Sequence, residues 1–340
     1  MSVESPAAVE YGADRSGLVF GFWFDEHGTP TAVDTKRALE ISQAPGGSAG
    51  FLWLHFSLAH AGAERWISEH LNLPAAFAEA LHDASRSTRI ELDDETLVAV
   101  INDVSYDFQF EPSDISTLWL SVGPRMVVSG RIQPLRSIDL LRNAVRKGSH
   151  IASPVALLVR LMQDQSDVLA RIARSASGKV DTIEDNLLSG RLASKRANLG
   201  ALRRVLVRLQ RLLAPEPAAL FRLLRVPPTW VNEDDVAELR HAAEDFNVSL
   251  RDMSTLQERI KLLQEEIAGR VAEANNRSLF VLTAVTVLAL PINLLAGLFG
   301  MNVGGIPFSE NPHGFWILLS IVALFTIVAA LLAFRYGDER

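Results

Sequence analysis

An α/β cytoplasmic domain, followed by long helices and two C-terminal transmembrane helices, is the fold class this 340-residue sequence predicts. Three observations carry it. Residues 1–150 alternate strand-like runs rich in Val, Ile, Phe and Trp with helical periodicities. A stretch free of proline then extends from Pro228 to Pro291. Two uncharged apolar runs, each about 20 residues and so long enough to cross a bilayer as a helix, close the chain. Composition agrees: 48% of residues are hydrophobic and mean hydropathy is +0.15, a surplus concentrated at the C-terminal end. The 40 acids against 33 bases argue against generic nucleic-acid binding. The absence of cysteine excludes a disulfide framework, a catalytic thiol and a thiolate metal site. No basic, then apolar, N-terminal stretch marks a signal peptide.

In chain order, strands are expected over Leu18 to Phe24, Phe51 to Phe56, Leu97 to Val104, Ile115 to Val122 and Met126 to Ser129. Helices are expected over Ala63 to Leu71, Pro74 to His82 and Pro134 to Arg146. Pro45, Gly46, Gly47 and Ser48 read as a loop, and Asp93, Asp94 and Glu95 as a solvated turn between strands. Residues 151–231 form a helical, basic segment. From Arg142 to Arg225 there are 16 basic and 6 acidic side chains. That surplus suits either an anionic ligand or, the simpler reading, acidic faces of the same or a neighbouring chain.

Residues 232–299 read as one helix on the order of 100 Å long. Asn232 is its N-cap, and Glu233, Asp234 and Asp235 suit the positive end of the helix dipole. A seven-residue apolar repeat runs through Val236, Leu239, Ala243, Phe246, Leu250, Met253, Ile260, Ile267, Val271 and Ala274. Gln257 and Gln264 occupy two seam positions beside Leu256 and Leu263. The first uncharged run, Leu279 to Phe299, continues this helix, and Pro291 removes one of its backbone hydrogen bonds. The second run spans residues 315–334, and a short tail occupies 335–340. Arg270 and Arg277 precede the first run, and Arg335 and Arg340 follow the second. The loop of residues 300–314 has no Lys or Arg. By the positive-inside rule, both termini are cytoplasmic.

Within the first run, Asn276, Leu279, Thr283, Thr286, Leu290, Asn293 and Gly297 recur at spacings of three and four, on one helix face. Phe280, Val281, Val285, Leu288, Ile292, Leu295 and Phe299 make the other face apolar. Polar side chains at this depth face a water-filled cavity or hydrogen-bond a neighbouring helix. Two spans cannot enclose a wet path, so conduction requires several copies in a ring.

The loop opens Gly300, Met301, Asn302, Val303, Gly304, Gly305, Ile306, Pro307. This triplet after the penultimate span, with two C-terminal spans and a long preceding helix, resembles the CorA/ZntB family of divalent metal-ion transporters. Asn-Val-Gly-Gly-Ile-Pro after the triplet is most like the zinc-transporting ZntB branch; the magnesium-type branch more often carries aromatic residues and a Met-Pro-Glu turn. Looser matches are Trp53-Leu54-His55-Phe56, Thr88-Arg89-Ile90-Glu91 and Leu118 to Arg125. The resemblance implies a funnel-shaped homopentamer in the bacterial inner membrane, with the first spans lining the pore. It implies no prosthetic group, no nucleic-acid partner and no enzymatic chemistry. Zn²⁺ is the implied transported ion, with Mg²⁺, Co²⁺ and Ni²⁺ as alternatives. Gly300, Met301 and Asn302 would form the outer mouth, where amide oxygens accept hydrogen bonds from the water shell of a cation and release it easily. Asn302 alone also suits a helix C-cap. The implied direction is uptake, with proton coupling. A Mg²⁺ channel and a Zn²⁺ efflux protein share the architecture, and a non-conducting membrane scaffold is the alternative of another class.

Other candidates are weaker. His241 with Glu244 and Asp245, and His313 with Glu310, have metal-ligating chemistry. Glu258 and Glu265, one heptad apart, would form acidic rings in a symmetric assembly and concentrate cations. Leu290, Leu282 or Leu279 would form apolar constrictions.

Overall fold

The computed structural model describes residues 12–44, 49–83, 87–111, 113–189, 196–301, 307 and 311–338. The expected 45–48 loop, Asn302 and Glu310 lie outside them. The chain divides into two units, Met1–Gln264 and Glu265–Arg340, each described by itself.

The first unit is built on a seven-stranded sheet of order β2-β1-β3-β7-β6-β5-β4. Its strands are β1 (Leu18–Asp25), β2 (Pro30–Val33), β3 (Gly50–Ser57), β4 (Arg89–Asp93), β5 (Thr96–Val104), β6 (Ile115–Val122) and β7 (Met126–Arg131). Only β3 and β7 pair in parallel; the other neighbours are antiparallel. All five expected strands are present. Two short ones, β2 and β4, were not expected. The same holds for α1 (Thr35–Gln43), whose N-cap Asp34 accepts from the Arg37 amide at 2.8 Å.

The central strands read as continuous apolar runs because both sheet faces are covered. On one face, Leu52, Leu54, Phe56, Val98, Val100, Trp119 and Val128 form a core with Ala38 of α1, Ile67 of α2 (Ala63–His70), and Phe77 and Ala80 of α3 (Ala75–His82). On the other, Trp53, Leu120 and Val127 meet Ile138 and Leu141 of α4 (Arg136–Arg146), with Leu157 and Leu161 of α5 (Pro154–Leu188). Gly28 turns the chain between β1 and β2 at φ +75°, against residue 151; a Cβ there would lie 2.6 Å from the Ile151 carbonyl oxygen.

The expected turn after Asp93 is a two-residue hairpin. Asp94 and Glu95 adopt φ of 44° and 62°, as a turn matching the strand twist requires. It is more than solvated, since Asp93 accepts the Ala76 amide at the start of α3, at 3.1 Å.

The basic segment is helical as expected: α5, α6 (Arg196–Leu213) and α7 (Pro215–Leu223). Ser153 caps α5, accepting the Ala156 amide at 2.9 Å, and its hydroxyl donates to Asp235 at 3.0 Å, in the first turn of α8 (Glu233–Phe299). Asn232 caps α8 through the Asp235 amide at 2.6 Å. Arg259 of α8 joins α5 through Asp181 at 2.7 Å and through Glu184. The buried seam of α8 runs through Leu239, Ala243, Phe246, Leu250, Met253, Leu256, Ile260, Leu263 and Ile267. The leucines at 256 and 263 take the core positions assigned from the heptad to Gln257 and Gln264, which sit half-buried at the margin. Ile260 and Ile267 keep their heptad places, and only the alternate positions shift, each by one residue toward the N-terminus, where a leucine fills the core in place of a glutamine.

The second unit holds the end of α8 and α9 (Gly314–Asp338). Among the described residues, α8 contains the window long and apolar enough to cross a membrane, none of it buried; the apolar part described for α9 is Gly314–Ala329.

Candidate ion pathway

Past Arg277 no residue of α8 is charged. Apolar residues such as Leu282 and Leu290 stand open, at 64% and 63% exposure. Coverage in this part of α8 is not uniform. Leu288, Ile292, Leu295 and Phe299 are half-buried and follow one another at spacings of four, three and four. The polar stripe is about half a turn away on the helix. Its members Asn276, Leu279, Thr283, Thr286, Leu290, Asn293 and Gly297 are all exposed. The expected face is exposed, as are Phe280, Val281 and Val285 of the opposite face.

Thr286 shows what that face offers. Its hydroxyl donates to the Leu282 carbonyl at 2.8 Å, one turn back. The proton is committed to the helix, so the oxygen lone pairs are left as acceptors. Acceptors without charge suit the polarised water shell of a divalent cation, and hold it without the grip of a carboxylate cage. The helix stays continuous through Pro291.

At the end of the helix, the Gly300 amide donates to the Ala296 carbonyl at 3.0 Å and Met301 to Leu298 at 3.4 Å, a tightened last turn. A Cβ at Gly300 would lie 3.1 Å from the Ala296 oxygen. Met301 is exposed. At the start of α9, Asn311 accepts the His313 amide at 2.9 Å through its side chain, and His313 is exposed.

In the first unit, His241 and Asp245 approach to 3.5 Å, both exposed. They border an open cleft of about 370 Å³ that includes His150, Arg160, Gln163 and Glu238. Glu244 does not join them: among the described residues, no three His, Asp or Glu side chains converge as a metal site would require. Glu258 is exposed and engages Lys261 at 3.4 Å, which offsets part of its charge.

The strongly perturbed groups lie elsewhere, and sequence reasoning missed them. His55 is fully buried, its Nδ1 2.8 Å from Ser129 Oγ, and burial with nearby Arg131 and Arg142 drives its pKa well below the ordinary value. Burial raises Asp103 to about 7, and raises Glu216 well above the carboxylate range, with Asp103 adding to the effect. The signal available was an acid inside or beside an apolar run, as at Asn102-Asp103-Val104.

A sequence model of the family described as CorA-like Mg2+ transporter protein matches residues 48–335. The divalent cation transporter CmaX of Pseudomonas aeruginosa is 30% identical over 314 residues, covering 91% of this chain and 93% of that protein. The solved full-length CmaX structure superposes with a TM-score of 0.79 at 26% identity, over 94% of this chain and 99% of that one. The zinc transport protein ZntB of Yersinia enterocolitica is 25% identical over 301 residues, 88% of this chain and 89% of that protein. The CorA magnesium transporter from Methanocaldococcus jannaschii shares the fold, with a TM-score of 0.76 at 15% identity over 92% of this chain and 96% of that one.

Proposed function

Because this chain belongs to the family of CorA-like Mg2+ transporter proteins, we propose that it is a divalent-cation transporter that takes Zn²⁺ into the cytoplasm, through a path lined by α8 from five copies of the chain. The observation that carries the reading is the open, uncharged polar stripe of α8, half a turn from its half-covered apolar seam. Copies meeting around an axis would put Asn276, Thr283, Thr286 and Asn293 on the path. Leu279, Leu282 and Leu290 would narrow it, and α9 would stand outside as the second span. Gly300, Met301 and Asn302 would gather the hydrated ion, with His313 and Glu310 beside the mouth. His241 and Asp245 would meet it on the cytoplasmic side. No covalent chemistry is involved.

Zinc over magnesium rests on the Asn-Val-Gly-Gly-Ile-Pro loop, and the name of the 30% identical relative, a divalent cation transporter, leaves the ion broader. Between Leu279 and Phe299 there is no Asp, Glu or His. Proton coupling would therefore use the mouth, the cytoplasmic part or the ion's own water.

The test is metal flux into liposomes holding the purified full chain, with Zn²⁺, Mg²⁺, Co²⁺ and Ni²⁺ compared. The pH gradient is set to zero, then inward, then reversed. Zn²⁺ entry that rises with an inward proton gradient is expected, and Asn302→Ala is expected to reduce it by about tenfold or more. Mg²⁺ flux without Zn²⁺ flux overturns the ion assignment. Unchanged flux in Asn302→Ala overturns the mouth.

A further inference from the structure

Three carboxyl groups in the first unit have no part in the ion path. Asp103 lies near the end of β5, Asp164 on α5 and Glu216 in the first turn of α7, and none is more than 5% exposed. Glu216 Oε1 accepts the Asn102 amide of β5 at 2.7 Å. The Asn102 side chain donates to Thr88 Oγ1 at 3.1 Å and to the Leu212 carbonyl at 3.5 Å, and Thr88 Oγ1 donates to the same carbonyl at 2.9 Å. Leu212 is in the last turn of α6. The α6–α7 corner is therefore tied to the sheet by buried polar contacts, among them the one that Glu216 supplies from α7.

The chain beyond α7 leads into α8 and is held a second time. The Thr229 amide and hydroxyl donate to the Glu95 carboxylate at 2.6 and 2.9 Å, and Trp230 Nε1 donates to the Glu95 carbonyl at 2.7 Å. The β4–β5 hairpin thus grips both ends of the connector that feeds the long helix.

The charges around Glu216 are unfavourable to an anion. From β5 it meets Asp103, which itself accepts from Ser137 Oγ at 2.9 Å and the Ser137 amide at 3.2 Å. Asp164, from α5, acts on Asp103 and is engaged by Arg160 at 3.4 Å. On β4, Arg89 is engaged with Glu91 at 3.3 Å. The α6 group at the corner is the Leu212 carbonyl. Among the described residues no cation pairs with Glu216. A proton acceptor is close: Gln165 Oε1 is buried without a partner, and Gln165 and Glu216 line one cavity of about 20 Å³, with room for a single water.

We propose that Glu216 keeps its proton at neutral pH, and that the neutral side chain, accepting from β5 and donating toward α5, latches α7 in place. The neutral acid accepts the Asn102 amide through one oxygen and donates through the other, toward Gln165 or a water beside it. The carboxylate would be a desolvated charge next to Asp103, and its escape toward solvent opens the α6–α7 corner. Alkaline pH therefore releases α7 from β5, while the Glu95 hold on Thr229 and Trp230 remains. This goes beyond transport, and its test needs no flux.

Hydrogen exchange of the full chain in detergent micelles, followed at residues 212–223 from about pH 6 to about pH 10 and corrected for intrinsic exchange, reads the latch. Protection there is expected to fall about tenfold toward alkaline pH while β6 stays protected. Glu216→Gln, a neutral side chain of the same shape, is expected to keep protection throughout. The infrared difference at neutral pH between wild type and Glu216→Gln, which cancels the contribution of Asp103, should contain a protonated-carboxyl band. An unaltered pH profile in Glu216→Gln, a flat wild-type profile, or no such band overturns the proposal. If Glu216→Gln does not fold, Asp103→Asn decides. Removing the neighbouring anion makes Glu216 easier to ionise, so the loss of protection moves to lower pH, and an unmoved midpoint overturns the latch.

Discussion

The two ends of α8 obey opposite rules. Between Leu239 and Ile267 its apolar residues are inside: Phe246 and Ile260 are fully buried, and acids such as Glu244 and Glu258 face out. Between Leu279 and Phe299 leucines and valines stand open, charge is absent, and the polar residues are amides and hydroxyls on one face. The first stretch follows the rule for a helix in water, and the second departs from it. Water penalises exposed apolar surface and rewards exposed charge; hydrocarbon reverses both.

This difference can be broken by mutation. Phe246→Ala is expected to cost about 3–5 kcal/mol, because it leaves a cavity in a fully buried site. Leu290→Ala, at an open position, should cost less than about 1 kcal/mol in micelles. Chemical unfolding of the two variants side by side checks this, and equal losses would remove the distinction between the two ends.

Titration sharpens it. In the folded chain Asp103 holds its proton up to about pH 7, whereas the unfolded chain releases it near the ordinary aspartate value of 3.8. The folded state therefore binds more protons between those values, and stability falls as pH rises through that window. The slope is at most about 1.4 kcal/mol per pH unit for this group. Glu216, raised well above its ordinary value, prolongs the decline toward higher pH. Thermal unfolding across pH should show the slope, reduced in Asp103→Asn. The segment from Leu279 to Phe299 has no titratable side chain and adds nothing to it.

Two smaller effects test the contacts on α8 and its connector. Glu95→Ala removes the acceptor for Thr229 and is expected to cost about 1 kcal/mol, read by denaturant midpoint. Arg259→Met removes an ion pair to α5 that is 41% exposed on the arginine side, and should cost about 0.5 kcal/mol or less, shrinking further in high salt.

The polar stripe of α8 was legible because its signals are local. The three-four spacing of Asn276 to Gly297 is a property of the chain, and the helix displays it unchanged on its open face. The five main strands and the start of α8 at Asn232 were legible for the same reason: period, cap and proline act within a few residues. The short β2, β4 and α1 were not, since four to nine residues hold too little periodicity to stand out. The heptad placed Gln257 and Gln264 in the seam, where the packed helix uses Leu256 and Leu263. His241 and Asp245 met by helical spacing, but among the described residues no third ligand joins them, because ligation needs convergence in space and not only one turn of sequence.

The order of amino acids by itself determined where the long uncharged apolar runs lie, where the long helix begins, and which of its faces is polar. Those are matters of composition and helical period. Tertiary structure alone decided that β3 runs parallel to β7, and that Glu216 lies beneath the sheet beside Asp103. Residues 103 and 216 become neighbours only when α7 closes on β5, and a carboxyl's proton affinity depends on the medium and charges around it, which no stretch of sequence contains.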